Sequence, residues 1–198
     1  MGEWAAARGA DLDVLHGPVV SAWPDPGDAS AVISLGSDRS VHASTDPWIA
    51  AQVGFLRATH AAGVPVLGIC FGGQALAAAL GATVTRAAET EIGWIDVDGD
   101  DGFGGRWFTW HEDVFDLPPG AAELARAASG PQAFAVGASV GLQFHPEVTP
   151  AIVEDWLAGA RDVVPDPEPI RAETARTAQA ARERAFALMD RIAGRWPR

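Results

Sequence analysis

Two periodicities divide the chain. Between residues 47 and 62, Trp48, Ile49, Val53 and Leu56 recur at helical spacing and Gly63 supplies a stop, so a helix is predicted there. Alanine-rich stretches at 2–8 and 74–80 also read as helices, closed by Gly9 and Gly81. Short apolar runs at 12–16, 31–35 and 64–69 read as strands, and the prolines Pro18, Pro24 and Pro26 make 18–28 a loop. Helices alternating with strands in this way predict a parallel sheet covered by helices. Beyond residue 82 the spacing tightens. Segments 83–85, 92–97, 106–110, 133–136 and 140–144 read as short strands, and antiparallel meandering is expected. The Gly/Asp-rich stretch 96–105 reads as a solvated hairpin, because its acidic spacing does not match an EF-hand. A helix is predicted over 150–160, then a Pro/Asp linker over 163–169. The longest helix spans 170–194, with Ala181, Ala185, Leu188 and Ile192 on one face and Arg and Glu opposite.

Composition narrows the class. The 198 residues, 48% hydrophobic and 20% charged, fit one globular, soluble domain over 1–198 with a sizeable core. The net charge of −12 disfavours nucleic acid and anionic membrane surfaces as partners. A single cysteine excludes an internal disulfide and any Cys-cluster zinc site, so no metal is expected. No apolar run is long enough to span a bilayer, and the start has no signal-peptide pattern. A free thiol suits a reducing compartment, so a cytoplasmic location is expected.

The candidate chemistry sits at that cysteine. The strand over 64–69 ends at Cys70, with Gly68 and Gly72 two residues to either side and a helix following at once. This is the spacing of a nucleophile elbow, with sulfur in place of the serine oxygen. The glycines permit a tight turn, and the start of a helix favours the thiolate. The strand over 140–144 runs into His145-Pro146-Glu147, where Pro146 holds His145 extended. Both motifs lie at carboxyl ends of predicted strands, where open α/β sheets bind ligands. A Cys to attack, a His to take and return a proton, and a carboxylate to orient the His make a nucleophilic triad.

Gly68-Ile69-Cys70-Phe71-Gly72-Gly73-Gln74 and Gln143-Phe144-His145-Pro146-Glu147 resemble the two signature motifs of class I glutamine amidotransferases. Glu91-Ile92-Gly93-Trp94 and the segment from Trp110 to Pro118 resemble the stand-alone, GMP-synthase-like branch. The resemblance covers most of the chain. It implies a flavodoxin-like three-layer α/β fold, with a mostly parallel central sheet plus a small antiparallel sheet. It also implies hydrolysis of the side-chain amide of glutamine, or of a related γ-glutamyl amide, through a thioester on Cys70. His145 would be the acid and base and Glu147 its orienting carboxylate. The backbone N–H of Phe71 would serve an oxyanion, joined by one from the loop carrying Gly36 and Ser37, where the family usually has paired glycines. Gln74 and Gly72 would help hold the substrate, and His111 and Glu112 lie in the segment that lines the pocket. His111 is read as structural rather than catalytic, because the proton-transfer role is filled. No cofactor is implied, and ammonia would pass to a separate synthetase or acceptor partner or simply be released.

Family members begin with a strand before the first helix. This chain starts inside that helix, so a domain short of its first strand is expected. Two further readings stay open on the same scaffold: a γ-glutamyl peptide hydrolase, and a catalytically idle regulatory subunit.

Overall fold

A computed structural model describes residues 1–197. In chain order the elements are α1 (Gly2–Ala7), β1 (Val32–Ser34), α2 (Pro47–Ala61), β2 (Val66–Ile69), α3 (Phe71–Ala79), β3 (Val84–Gly99) and β4 (Gly105–Phe115). They continue with β5 (Ala122–Ala127), β6 (Gly130–Val136), β7 (Ser139–Leu142), α4 (Pro150–Gly159) and α5 (Glu168–Ala193). The strands form a seven-stranded sheet in the order β1-β2-β7-β6-β5-β3-β4. β1, β2 and β7 run parallel, and the remaining neighbours pair antiparallel. The antiparallel part expected from the sequence is the long β3–β4 ribbon. It joins the central sheet where Asp98 and Gly99 pair with Arg126 and Ala125 of β5.

Layering follows from the period-2 alternation of side chains. On one face, Val66 of β2 and Phe134 of β6 pack with α2 and α3 through Leu56, Phe71 and Leu76. On the other, Leu67, Ile69, Val140 and Leu142 pack with α1 and α5 through Trp4, Leu188 and Ile192. The side chains of Val66, Leu67 and Ile69 are wholly removed from solvent, worth roughly 1.5–3 kcal/mol each before the entropy cost of ordering them. A third cluster, with Trp94, Phe108, Val153 and Leu157, fixes α4 against the ribbon. The start of α4 is set locally: Pro150 occupies its first turn and Thr149 Oγ1 accepts from the Ile152 N–H. α5 is tied down at both ends. Trp94 Nε1–H donates to Thr174 Oγ1, and Trp4 and Arg8 both donate to Asp190.

Several sequence expectations need correction. Residues 12–16 are not a strand; they run as loop, with Leu12, Val14 and Leu15 exposed. β1 pairs only with β2, so no described strand lies beside this stretch. The predicted strands 83–85 and 92–97 are one element, β3, bent by a register shift between Arg86 and Glu91. β4 extends through Phe115, so Trp110 to Asp113 lie on a strand. β5 has an Ala-rich sequence and carries no strand signal; its pairing with β6 makes it a strand. No helix among the described residues is long and apolar enough to cross a membrane.

Candidate active site

β2 ends and α3 begins with only Cys70 between them. Cys70 is the N-cap of α3, with φ 53° and ψ −113°. A non-glycine residue held in this region costs about 1–3 kcal/mol, and such strain collects at functional positions. The neighbours over-determine it. A Cβ on Gly72 would lie 2.0 Å from the carbonyl oxygen of Ser34 in β1. One on Gly73 would lie 2.3 Å from that of Leu142 in β7. Only glycine lets α3 press this closely on both strands, and that contact anchors the turn. The Cys70 N–H donates to the Leu142 carbonyl at 2.8 Å. The sulfur is buried, with the Trp110 carbonyl oxygen at 3.6 Å and Gln143 Nε2 at 3.9 Å. Amides at a helix start have no partner within the helix, so the positive end of α3 faces the thiol.

The second half of the array arrives through sheet order. β7 is the neighbour of β2, with Ile69 opposite Leu142. The chain leaving β7 stays anchored: Gln143 N–H donates to Gln132 and His145 N–H to Phe108, each at 2.8 Å. Phe144 stacks on Trp107 with centroids 4.7 Å apart. His145 is thereby buried, its ring edge-on to Trp156. Its Nδ1 lies 2.7 Å from Glu147 Oε1, which leaves Nε2 for the sulfur. The loop after β1 closes over both groups, since a Cβ on Gly36 would lie 3.2 Å from His145 Cε1 and 3.8 Å from Cys70 Cβ. Burial alone would depress the pKa of His145. The Glu147 carboxylate and the Cys70 sulfur outweigh it and hold the imidazole well above the ordinary histidine value.

Cys70 opens onto a cleft of about 250 Å³, smaller than the roughly 300–1,000 Å³ of clefts that take drug-sized ligands. Ser37, Phe71 and Gln74 form one wall, and His111, Glu112 and Asp113 of β4 form another. His145 is not on the lining. Gly72 also lies off the lining, turned to Ser34. Gln74 spends its amide donors on the protein, to the Asp113 carbonyl at 2.9 Å and Gln143 Oε1 at 3.4 Å. His111 is buried with Nε2 3.0 Å from Glu91 Oε2. The Glu91 carboxyl lies below its ordinary value: burial raises it, but the hydrogen bond and charge of His111, with a smaller contribution from Ser129, outweigh that. Glu112 is at the rim, 2.7 Å from Arg86.

Asp113 belongs to the Trp110 to Pro118 segment, but the sequence alone gives it no role in the cleft. It is buried, with Oδ2 bonded to Ser40 Oγ. Its Oδ1 has no hydrogen-bond partner among the described residues. His42 Nε2 is 3.3 Å from that oxygen, in range for charge attraction but not aligned as a hydrogen bond. Strand alternation could have flagged it: if Trp110 to Asp113 is a strand, His111 and Asp113 face the same way.

Comparison with known proteins gives a consistent picture. The family model "Glutamine amidotransferase class-I" matches residues 41–155. The GMP synthase (glutamine-hydrolysing) of Thermomicrobium roseum is 46% identical over 96 residues, covering 43% of this chain and 18% of that protein. That of Aeropyrum pernix is 36% identical over 146 residues, covering 66% of this chain and 27% of its own length. The chain thus spans only about a fifth to a quarter of these relatives. A glutamine amidotransferase from Thermotoga maritima superposes with a TM-score of 0.86 at 27% identity, covering 96% of this chain and 90% of the other. A glutamine amidotransferase from Methylobacillus flagellatus shares the fold with a TM-score of 0.91 at 24% identity, over 100% and 89% of the two chains.

Proposed function

The chain belongs to the class I glutamine amidotransferase family, and from that premise we propose that its 198 residues act as one domain hydrolysing the side-chain amide of L-glutamine. The observation that carries this reading is the strained Cys70 at the start of α3, beside a buried His145 bonded to Glu147 at 2.7 Å.

The Cys70 thiolate attacks the amide carbon, and the carbonyl electron pair moves onto oxygen. The Phe71 N–H, and an amide of the Gly36–Ser37 loop, receive that oxyanion. One such donor is worth roughly 2.7–4 kcal/mol of barrier. As the intermediate collapses, the C–N bond breaks and His145 gives its proton to the nitrogen. Ammonia leaves and a γ-glutamyl thioester remains on sulfur. Water then attacks the thioester while His145 takes a proton from it, and the C–S bond breaks to release glutamate and the thiolate. Glu147 keeps Nδ1 of His145 protonated and steadies the imidazolium throughout. The free oxygen of Asp113 would accept the α-ammonium of the substrate at the far end of the cleft, and Gln74 would hold the wall between them.

The small cleft favours an amino-acid amide over a γ-glutamyl peptide. Ammonia would pass to a synthetase or acceptor partner or simply be released, a reading supported by the likeness to GMP synthases. The test is ammonia release from L-glutamine by the purified chain beside Cys70→Ala. Release that depends on Cys70 is expected. Equal release by both proteins overturns the nucleophile assignment, and wild-type thiol reactivity no greater than that of Cys70→Ala points to an idle regulatory subunit.

A further inference from the structure

Asp113 is held by Ser40, a cleft residue on the loop that also carries Gly36 and Ser37, whose side chain the chemistry above does not use. The Ser40 hydroxyl lies 2.5 Å from Asp113 Oδ2 and donates to it. The same hydroxyl oxygen accepts from the Ala43 N–H at 3.1 Å. Ser40 therefore bridges a backbone turn and a buried carboxylate, with its one donor committed to Asp113. A carboxylate has two oxygens and a broad terminal torsion, so an unpinned Asp113 would sample several orientations. With Oδ2 engaged, Oδ1 is the oxygen left for an incoming ammonium; it has no hydrogen-bond partner among the described residues, and His42 Nε2, 3.3 Å away, is not aligned to donate to it. The backbone under Asp113 is fixed as well, because its carbonyl accepts from Gln74 Nε2 at 2.9 Å.

We infer that Ser40 is a positioning residue that sets the specificity of this cleft for amides carrying a free α-ammonium, acting through the orientation of Asp113. The inference rests on the glutaminase reading of the same site and deepens it. A buried carboxylate oxygen that meets no hydrogen-bond donor is left unsatisfied, which penalises an amide lacking the ammonium. The contrast between two substrates therefore reads the orientation directly. L-Glutamine has the ammonium; 4-carbamoylbutanoate has the same amide and carboxylate without it.

The experiment measures kcat and KM of wild type, Ser40→Ala and Ser40→Thr on both amides, with binding of both to the same variants in a Cys70→Ala background. Ser40→Ala is expected to raise KM for L-glutamine about tenfold, the scale of one hydrogen bond to a charged group, with kcat within about twofold. Its kcat/KM on 4-carbamoylbutanoate stays within about twofold of wild type. Ser40→Thr, which keeps the hydroxyl, restores most of the loss. Equal losses on both substrates, or no loss on either, overturn the inference while the glutaminase reading stands. If wild type hydrolyses neither amide and Cys70→Ala binds neither, the reading of the cleft falls and the inference falls with it.

Discussion

Replacing Glu147 with glutamine keeps the shape of the Cys70–His145–Glu147 array and removes one charge. In the wild type the carboxylate accepts from His145 Nδ1 at 2.7 Å, with the two side chains 13% and 4% exposed, respectively. At that burial a charge-assisted hydrogen bond is worth about 1.5–3 kcal/mol, so kcat/KM for L-glutamine is expected to fall roughly 10- to 150-fold. His145→Ala removes the proton carrier itself and falls further. The second consequence is in pH. Burial pulls the His145 pKa down, and Glu147 and the Cys70 sulfur hold it up. With a neutral residue at 147 burial gains ground, so the imidazolium is lost at lower pH. The alkaline limb of the rate profile, and of iodoacetamide alkylation of Cys70, should move down in pH. Stability carries the same sign. Because the folded-state pKa lies above the unfolded value of about 6.5, the protonated imidazole stabilises the fold fully below that value. This stabilisation disappears as pH rises through the raised folded pKa. Thermal unfolding of Glu147→Gln should therefore differ most from wild type at acidic pH and converge with it in alkali. An unchanged pH profile, or a larger loss than His145→Ala, refutes the assigned role.

Three further substitutions test the elbow and the cleft. Gly72→Ala places a Cβ 2.0 Å from the Ser34 carbonyl oxygen. A backbone oxygen cannot step aside as a flexible side chain can, so a loss of about 3 kcal/mol is expected in denaturant unfolding; a variant of wild-type stability contradicts the packing. Cys70→Gly relieves the positive φ of 53°. It should raise stability by about 1 kcal/mol while abolishing ammonia release, and a loss of stability instead would mean the turn is not strained. Asp113→Asn removes the buried acceptor charge; KM for L-glutamine should rise about 30-fold, or about 2 kcal/mol, with kcat little changed. A fall in kcat at constant KM would put Asp113 in the chemical step.

The sequence by itself determined what depends on near neighbours along the chain. Strand, turn and helix around Cys70 are set within about ten residues, where a Cβ on Gly68 would lie 2.3 Å from the Gly72 carbonyl oxygen. The boundaries of α2, α4 and α5 follow from helical spacing and from stops and caps such as Gly63 and Thr149. The His145-Pro146-Glu147 segment could be read for the same reason: two residues apart on an extended chain, the imidazole and carboxylate meet without help from the rest of the fold.

Tertiary structure decided everything that depends on pairing. A strand exists only when another strand satisfies its backbone groups. Residues 12–16 have strand composition and no partner, and run as loop. The Ala-rich residues of β5 have no strand signal but two partners, β6 and β3, and form a strand. The order β1-β2-β7 brings residues 70 and 145 to one place, and no local pattern encodes which strands become neighbours. The same holds for Asp113. Its burial, its bond to Ser40 and its free oxygen arise where three distant segments, 37–43, 70–74 and 110–113, converge. That convergence is a property of the packed sheet, because the free-energy gain that selects it comes from burying both faces of β2 and β7 at once.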